Sequence, residues 1–205
     1  LTYGKGFDNA DYQEGVFVGY RYYTSRKMET AFPFGYGLSY TTFEYSDLQL
    51  DKKEMSDKES VQVSVKVKNT GNRAGKTVVQ LYVEAPETEV IRPVRELRGF
   101  EKIFLEAGEE KTVTFTLDER AFAYWNTMIH AWYAEEGSYT VMIGENADQM
   151  CAGEEITVHP TKEIPKTYSL NTCLGELMRD PKAQAVMGPF MQGMAQNDAA
   201  KDMAE

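Results

Sequence analysis

Carboxylates are the side chains in this sequence best suited to acid–base or nucleophilic chemistry, and they fall where turns are expected. Glu84, Glu87 and Glu89 lie on a predicted loop, and Glu135 with Glu136 comes directly before a predicted turn. At such positions a solvated surface carboxylate is far more common than a catalytic pair. The sequence therefore predicts no catalytic residue in this chain.

Histidine and cysteine are too sparse to predict a metal centre. The chain contains two of each, and the spacing of His130, His159, Cys151 and Cys173 matches neither a zinc site nor a disulfide framework. The patterns of a nucleophile elbow and of a phosphate-binding loop are absent from the sequence as well. We therefore expect neither a metal nor a cofactor.

The charge balance argues against two classes of partner. The 205 residues carry a formal net charge of -10, whereas nucleic acids and anionic lipids bind clustered lysine and arginine. No stretch reaches the roughly 18 apolar residues that a membrane-spanning helix needs. We expect no nucleic acid and no membrane as partner. The opening at Leu1 reads like the middle of a protein, so we expect a fragment, and its compartment stays open between cytoplasm and secretion.

The elements that position any site are predicted to be the strands of an antiparallel β-sandwich over residues 43–159. In residues 61–68 four valines alternate with four polar residues, the pattern of a strand with one buried face. Turn residues such as those at 69–72 end such runs, and about seven short strands are expected. This is typical of an immunoglobulin-like or fibronectin-like fold. The predicted core is Val61, Val63, Val65, Val67, Leu81, Val83, Phe115 and Val141.

The two flanking regions, residues 1–42 and 160–205, have a different pattern. The first contains a dense apolar run from Val16 to Tyr22 that requires cover. In the second, apolar residues recur at helical spacing, Asp180-Pro181 predicts the start of a second helix, and Gly188-Pro189 predicts its end. The sequence thus predicts three parts: 1–42, the sandwich 43–159, and a helical C-terminal extension 160–205.

Several motifs in series resemble glycoside hydrolase family 3, to which many β-glucosidases belong. Residues 12–23, YQEGVFVGYRYY, are similar to a signature near the end of the α/β sandwich domain of that family. Residues 32–43, FPFGYGLSYTTF, and residues 92–100, RPVRELRGF, resemble two motifs at and within its fibronectin type III-like domain. The resemblance covers about residues 10–158, and the helical tail is similar to extensions of some bacterial members. It identifies the chain as the C-terminal part of a bacterial enzyme of this family, with residues 1–42 as the end of its α/β domain.

The resemblance implies a parent enzyme that hydrolyses O-glycosyl bonds with retention, which requires two carboxyl groups about 5–5.5 Å apart. In the family these groups come from a barrel and an α/β domain that precede this region, so none is carried over to this chain. The expected function is structural, in that the chain braces the catalytic domains, meets carbohydrate only through the parent enzyme, and is inactive alone. The expected partners are those domains or a second copy of the chain.

Three residues are candidates for sugar contact in an intact enzyme: Glu14, Arg21 and Tyr36. For Glu14 the alternative is a local hydrogen bond, and for Arg21 it is a structural ion pair. Arg92 and Glu96 pose a similar choice, and we expect them to brace a loop against a neighbouring domain.

Two other functions stay open at the level of sequence. A carbohydrate-binding module would show an exposed, coplanar row of aromatic rings, for which Tyr22, Tyr23, Tyr36 and Tyr40 are candidates, although large aromatics more often fill a domain junction. A stand-alone immunoglobulin-like interaction domain is the other alternative. The motifs of residues 12–43 count against it, because such a domain has no need for the end of a hydrolase domain.

Overall fold

Eight of the ten strands that the structure describes form two sheets that face each other across one apolar core, and the other two form a separate hairpin. The computed structural model describes residues 13–88 and 90–195. The chain divides into two compact units, Leu1–Glu163 and Ile164–Glu205, and the first contains all of the strands described below.

One sheet has three antiparallel strands in the order β1 (Phe43–Leu50), β3 (Val61–Asn69) and β6 (Glu110–Leu117). The other has five strands, in the order β2 (Glu54–Ser56), β10 (Met150–His159), β9 (Gly137–Gly144), β4 (Gly75–Glu84) and β5 (Glu96–Leu105). Within it, β2 and β10 pair in parallel and the other pairs are antiparallel. A hairpin of β7 (Tyr124–Asn126) and β8 (Ala131–Tyr133) follows the short helix α2 (Glu119–Phe122).

The core lies between the inner faces of these sheets, as the alternation of apolar residues requires. The four valines of β3 are completely buried, as are Leu81 and Val141 from the facing sheet. Phe115 is partly buried and packs against this core. The prediction of a mainly β, fibronectin type III-like sandwich is confirmed.

A β-bulge explains a break in the pattern of the first strand. Phe43 and Tyr45 occupy odd positions, whereas Leu48 and Leu50 occupy even ones, so strict alternation would place them on opposite faces. The register between β1 and β3 shifts between Ser46 and Gln49, and the extra residue restores the apolar side chains to one face. All four pack in or against the core.

The segment before the sandwich packs on the outer face of the five-stranded sheet. The side chain of Gln80 is buried there, and its Nε2 donates to the Gly35 carbonyl (3.2 Å) and to the Glu145 carbonyl (2.7 Å). Tyr82 donates its hydroxyl proton to Gln80 Oε1 at 2.7 Å. Because every polar group of Gln80 is paired, a polar residue is accommodated on this covered face at little cost.

The ring of Tyr20 also packs on this outer face of the five-stranded sheet. It stacks on Phe34 with centroids 4.8 Å apart and meets Tyr82 edge-on at 6.1 Å. The Tyr20 hydroxyl accepts a hydrogen bond from the Leu97 N–H at 2.8 Å. The apolar run of residues 16–22 is therefore covered by the sandwich at Tyr20, whereas Val16, Val18 and Tyr22 stay exposed.

The second unit contains helices α3 (Leu174–Arg179) and α4 (Pro181–Ala195). The predicted start at Asp180-Pro181 is observed: Asp180 Oδ1 accepts from the Lys182 N–H at 2.8 Å. The predicted end at Gly188-Pro189 is wrong, because α4 continues through both residues. Pro189 removes one hydrogen bond to the Ala185 carbonyl, but Gly188 has no Cβ to clash with the proline ring, so the helical conformation persists.

None of the helices that the structure describes is both long enough and apolar enough to cross a bilayer.

Candidate functional site

A cleft of about 920 Å³ opens between the segment around helix α1 (Tyr20–Ser25) and the loop that leads into β5. Its position is fixed by two hydrogen bonds: Leu97 N–H to the Tyr20 hydroxyl, and Val94 N–H to Ser25 Oγ at 3.0 Å. We call it the α1 cleft. Its walls combine apolar and charged side chains, among them Glu14, Phe17, Val18, Arg26, Ile91 and Arg92.

Beside the cleft, three arginines surround one carboxylate. Arg98 Nη2 lies 2.7 Å from Glu96 Oε2, Arg21 Nη2 lies 3.5 Å from Oε1, and Arg92 Nη2 lies 3.8 Å from Oε2. The Glu96 side chain is only 15% exposed and that of Arg92 only 10%. We call these four residues the arginine cluster. Arg92 belongs to both features, so the cluster adjoins the cleft wall.

The electrostatics of the cluster follow from its burial and its sign. Burial lowers the pKa of the Arg98 guanidinium, Glu96 raises it, and the positive charges of Arg92 and Arg21 lower it further. Arg92 gains further support, because its Nη2 donates to the Phe122 carbonyl at 3.2 Å and its guanidinium lies 5.5 Å from the centre of the Tyr124 ring. The cluster thus joins α1, the loop at 92 and the start of β5.

The structure separates the three candidates for sugar contact. Glu14 lies on the wall of the α1 cleft, where its carbonyl accepts from the Phe17 N–H, and Arg21 lies in the arginine cluster. Tyr36 is not among the residues that line the cleft, and its ring packs against Phe32 at 5.2 Å. A role of these residues toward sugar stays a prediction.

The four tyrosines considered as a stacking platform are all exposed but do not present one plane. Tyr22 and Tyr23 are neighbours on α1 with an interplanar angle of 81°. Tyr36 is 46% exposed and Tyr40 is 93% exposed, and both lie in the irregular segment after α1. Perpendicular rings on a helix cannot share one pyranose face.

Two of the carboxylates considered for catalysis, Glu135 and Glu136, have polar neighbours. Thr88 Oγ1 donates to Glu135 Oε2 at 2.8 Å, which brings the loop after β4 beside the turn before β9. Glu136 Oε1 lies 3.7 Å from His159 Nδ1. Glu89 lies outside the described residues. Within residues 13–88 and 90–195, no three His, Cys, Asp or Glu side chains come together in a group that could hold a metal ion.

Sequence reasoning missed Arg98, which makes the shortest ion pair in the cluster. On β5, Leu97 pairs with Tyr82 and Gly99 pairs with Leu81, so Arg98 is the extra residue of a bulge. Bulges re-aim side chains and are common beside functional sites. The signal in the sequence is the Glu96-Leu97-Arg98 spacing, which places both charges close together once residues 96–105 are recognised as a strand.

The fold and the sequence agree on one class of domain. Residues 77–147 match the Fn3-like family, described as the fibronectin type III-like domain. These residues run from β4 to the turn after β9, so they include the arginine cluster except Arg21.

The relatives extend this match over most of the chain. It is 51% identical over 185 residues to Thermostable beta-glucosidase B of Acetivibrio thermocellus, a match that covers 90% of this chain and 24% of the relative. Probable beta-glucosidase I of Aspergillus niger is 45% identical over 148 residues, which is 70% of this chain and 18% of the relative. The relatives are thus both bacterial and fungal.

Comparison with solved structures also finds β-glucosidases. The crystal structure of the Bifidobacterium adolescentis GH3 beta-glucosidase matches with a TM-score of 0.75 and 37% identity, over 87% of this chain and 26% of that one. The Kluyveromyces marxianus beta-glucosidase in complex with glucose matches with a TM-score of 0.70 and 44% identity, over 78% and 19%. The chain spans about a quarter or less of these relatives. It belongs to glycoside hydrolase family 3 and corresponds to the C-terminal portion that contains the fibronectin type III-like domain.

Proposed function

We propose that this chain is the accessory C-terminal portion of a retaining β-glycosidase, where it braces the domains that carry out hydrolysis of O-glycosyl bonds. The observation that supports this most directly is the long match to β-glucosidases of which the chain spans only about a quarter. In these much longer proteins the matching region is one part among several. The parent's remaining domains are the proposed partner, and its carbohydrate substrate is reached through them.

The exposed surface is consistent with such a role. Val16, Val18 and Ile91 are 52%, 60% and 82% exposed, and they lie at or beside the α1 cleft. Val18 and Ile91 line the cleft itself, and exposed apolar patches are common at sites of protein–protein contact. We propose residues 1–42 as the end of the preceding α/β domain, residues 43–159 as the sandwich, and residues 160–205 as an extension.

The test uses the Acetivibrio thermocellus β-glucosidase as the source of the missing domains. Its portion outside the matched region is co-expressed with the full 205-residue chain, and the complex is isolated through a tag on the chain. We expect co-purification and restored hydrolysis of an aryl β-glucoside. Failure of the chain to bind that portion, while the relative's own C-terminal region binds it, would contradict the proposed function.

A carbohydrate-binding module is the second candidate, and the observation that favours it is Tyr40, a residue that is 93% exposed. Titration of the isolated chain with β-glucosides and cello-oligosaccharides, followed by tyrosine fluorescence, tests this. Saturable binding that a Tyr40→Ala variant loses would support the second function.

A further inference from the structure

The arginine cluster holds more positive charge than the residues described by the structure neutralise locally. Three guanidinium groups share the single carboxylate of Glu96, in a chain whose formal net charge is -10. Glu14 lies on the cleft wall, but within the described residues it makes no ion pair with these arginines. A local excess of buried positive charge is unfavourable unless a further anionic group approaches.

The hydrogen bonding of the cluster is also incomplete. Arg21 Nε and Arg98 Nε are buried atoms without an acceptor in the part of the chain that the structure describes. A buried N–H group without a partner costs more than a solvated one, and charged groups cost the most. Two such atoms beside one carboxylate mean that a further acceptor at the cluster would be stabilising.

The α1 cleft supplies a place from which an acceptor can approach. Arg92 forms part of its wall, and the exposed side chains of Val18, Ile91 and Val94 stand around it. Arginine is enriched at the hot spots of protein–protein interfaces, and here a buried arginine is bordered by exposed apolar side chains.

We propose that the α1 cleft receives an aspartate or glutamate side chain, flanked by apolar residues, from the remaining part of the family 3 enzyme. This inference rests on the proposed function and names the contact surface and the chemistry of the partner. A carboxylate fits because it supplies both the missing negative charge and the planar acceptor pair that guanidinium groups bind. The matched Acetivibrio thermocellus β-glucosidase extends about three times as far outside the matched region as within it, so the occupant has ample chain to come from.

The experiment changes the sign of charge at one exposed position on the cleft wall. Ile91 is 82% exposed, so Ile91→Asp and Ile91→Lys should both leave the fold intact. Thr114→Asp adds the same negative charge to an exposed position on β6 in the other sheet and serves as the matched control. The dissociation constant of each full-length variant is measured against the co-expressed Acetivibrio thermocellus portion described above, and each variant's melting temperature is checked alone.

An acidic partner predicts a difference between the two Ile91 variants. We expect Ile91→Asp to weaken binding by about tenfold or more, because it repels the incoming carboxylate and competes for Arg92. Ile91→Lys should weaken it by less than about threefold, and Thr114→Asp should leave it unchanged. Lower ionic strength should widen the gap between the two Ile91 variants.

Each result that would overturn the proposal points to a different explanation. Equal losses for Ile91→Asp and Ile91→Lys would show that the occupant of the cleft is not acidic, and no loss for either would show that the partner docks elsewhere. A concentration-dependent dimer of the chain alone, abolished by Ile91→Asp, would make a second copy the occupant. If the unaltered chain fails to bind at all, the proposed function fails instead.

Discussion

Val65 sits at the centre of the sandwich with no exposed surface, between β1 and β6 in the three-stranded sheet. We expect Val65→Ala to lower the free energy of unfolding by roughly 1–3 kcal/mol, from lost burial and a residual cavity. Chemical denaturation monitored by circular dichroism measures this. Val16→Ala is the matched control, because Val16 is 52% exposed, and it should have almost no effect. Equal effects of the two substitutions would contradict the assignment of the core.

Gly35 is held against Gln80 in a conformation that other residues rarely adopt. Its φ is +83°, and a Cβ there would lie 2.3 Å from Gln80 Oε1. Gly35→Ala should therefore cost roughly 1–2 kcal/mol in backbone strain alone and release the segment from the sheet. We expect faster amide exchange at Ala147, which donates to the Phe34 carbonyl at 2.8 Å.

Gly37→Ala is the control for that experiment, since a Cβ at Gly37 meets nothing within 4 Å. In the Gly37→Ala variant, the rate of amide exchange at Ala147 should match that of the unaltered chain. Unchanged exchange in Gly35→Ala would mean that the segment does not depend on the Gln80 contact.

Asp180 in the second unit carries the pH dependence that is easiest to test. The hydrogen bond from the Tyr168 hydroxyl, with the Lys182 N–H and the Lys166 ammonium, lowers the pKa of Asp180 from 3.8 to about 2. The same contact raises the pKa of Tyr168 to about 12. Because the folded-state pKa is the lower one, the stabilisation by Asp180 is complete above pH 3.8 and is lost as pH falls toward about 2.

Replacing Tyr168 by Phe removes the largest of these contributions. We expect the Asp180 pKa to move up toward its ordinary value, and a carboxyl-carbon NMR titration reads it directly. The Lys166→Met variant should move it less, because Lys166 makes the smaller contribution. An unmoved pKa in Tyr168→Phe would rule out the hydrogen bond as the cause.

At the scale of elements, strands with strict alternation were predictable and irregular ones were not. β3 alternates over its whole length, so its face and its core residues follow from the sequence. β5 reads Glu-Leu-Arg-Gly-Phe-Glu-Lys-Ile-Phe-Leu, and the bulge at Arg98 breaks its period. β2, β7 and β8 have three residues each, too few for a period to appear.

The candidate site was predictable only in part, for a related reason. Arg21, Arg92 and Glu96 were considered because they lie in motifs that resemble those of the family, but their convergence depends on α1 packing against the start of β5. That contact joins residues 75 positions apart in sequence, between Arg21 and Glu96, and no local pattern encodes it. The apolar run of residues 16–22 predicted cover by the sandwich, by the helical tail or by another polypeptide, but the sequence did not specify the outer face of β4.

Helix α4 offers a test of how a proline is tolerated. Pro is about 3 kcal/mol less favourable than Ala within a helix, so Pro189→Ala should strengthen α4 and slow amide exchange around Gly188. Pro181→Ala is the control, because the first helical residue needs no N–H partner and should respond little. If amide exchange around Gly188 stays the same in Pro189→Ala, the proline does not weaken α4 at this point.

At the scale of the whole molecule, the chain alone should not hydrolyse aryl β-glucosides. The resemblance implies that the family's two carboxyl groups lie in domains that precede this region, and Glu135 and Glu136 have the polar neighbours Thr88 and His159. The measurement is steady-state release of the aryl alcohol by the purified chain. Turnover that disappears when one of the chain's own Asp or Glu residues is replaced would contradict this.

The position of β5 at the edge of its sheet has a consequence for handling the protein. Its outer face exposes Phe100 (69%) and Phe104 (43%), and an edge strand with exposed aromatics can add strands from other molecules. Lys102 stands between the two rings and, being charged, opposes such pairing. Lys102 therefore contributes to the solubility of the isolated chain: a Lys102→Val variant should aggregate on storage at concentrations where the unaltered chain stays clear.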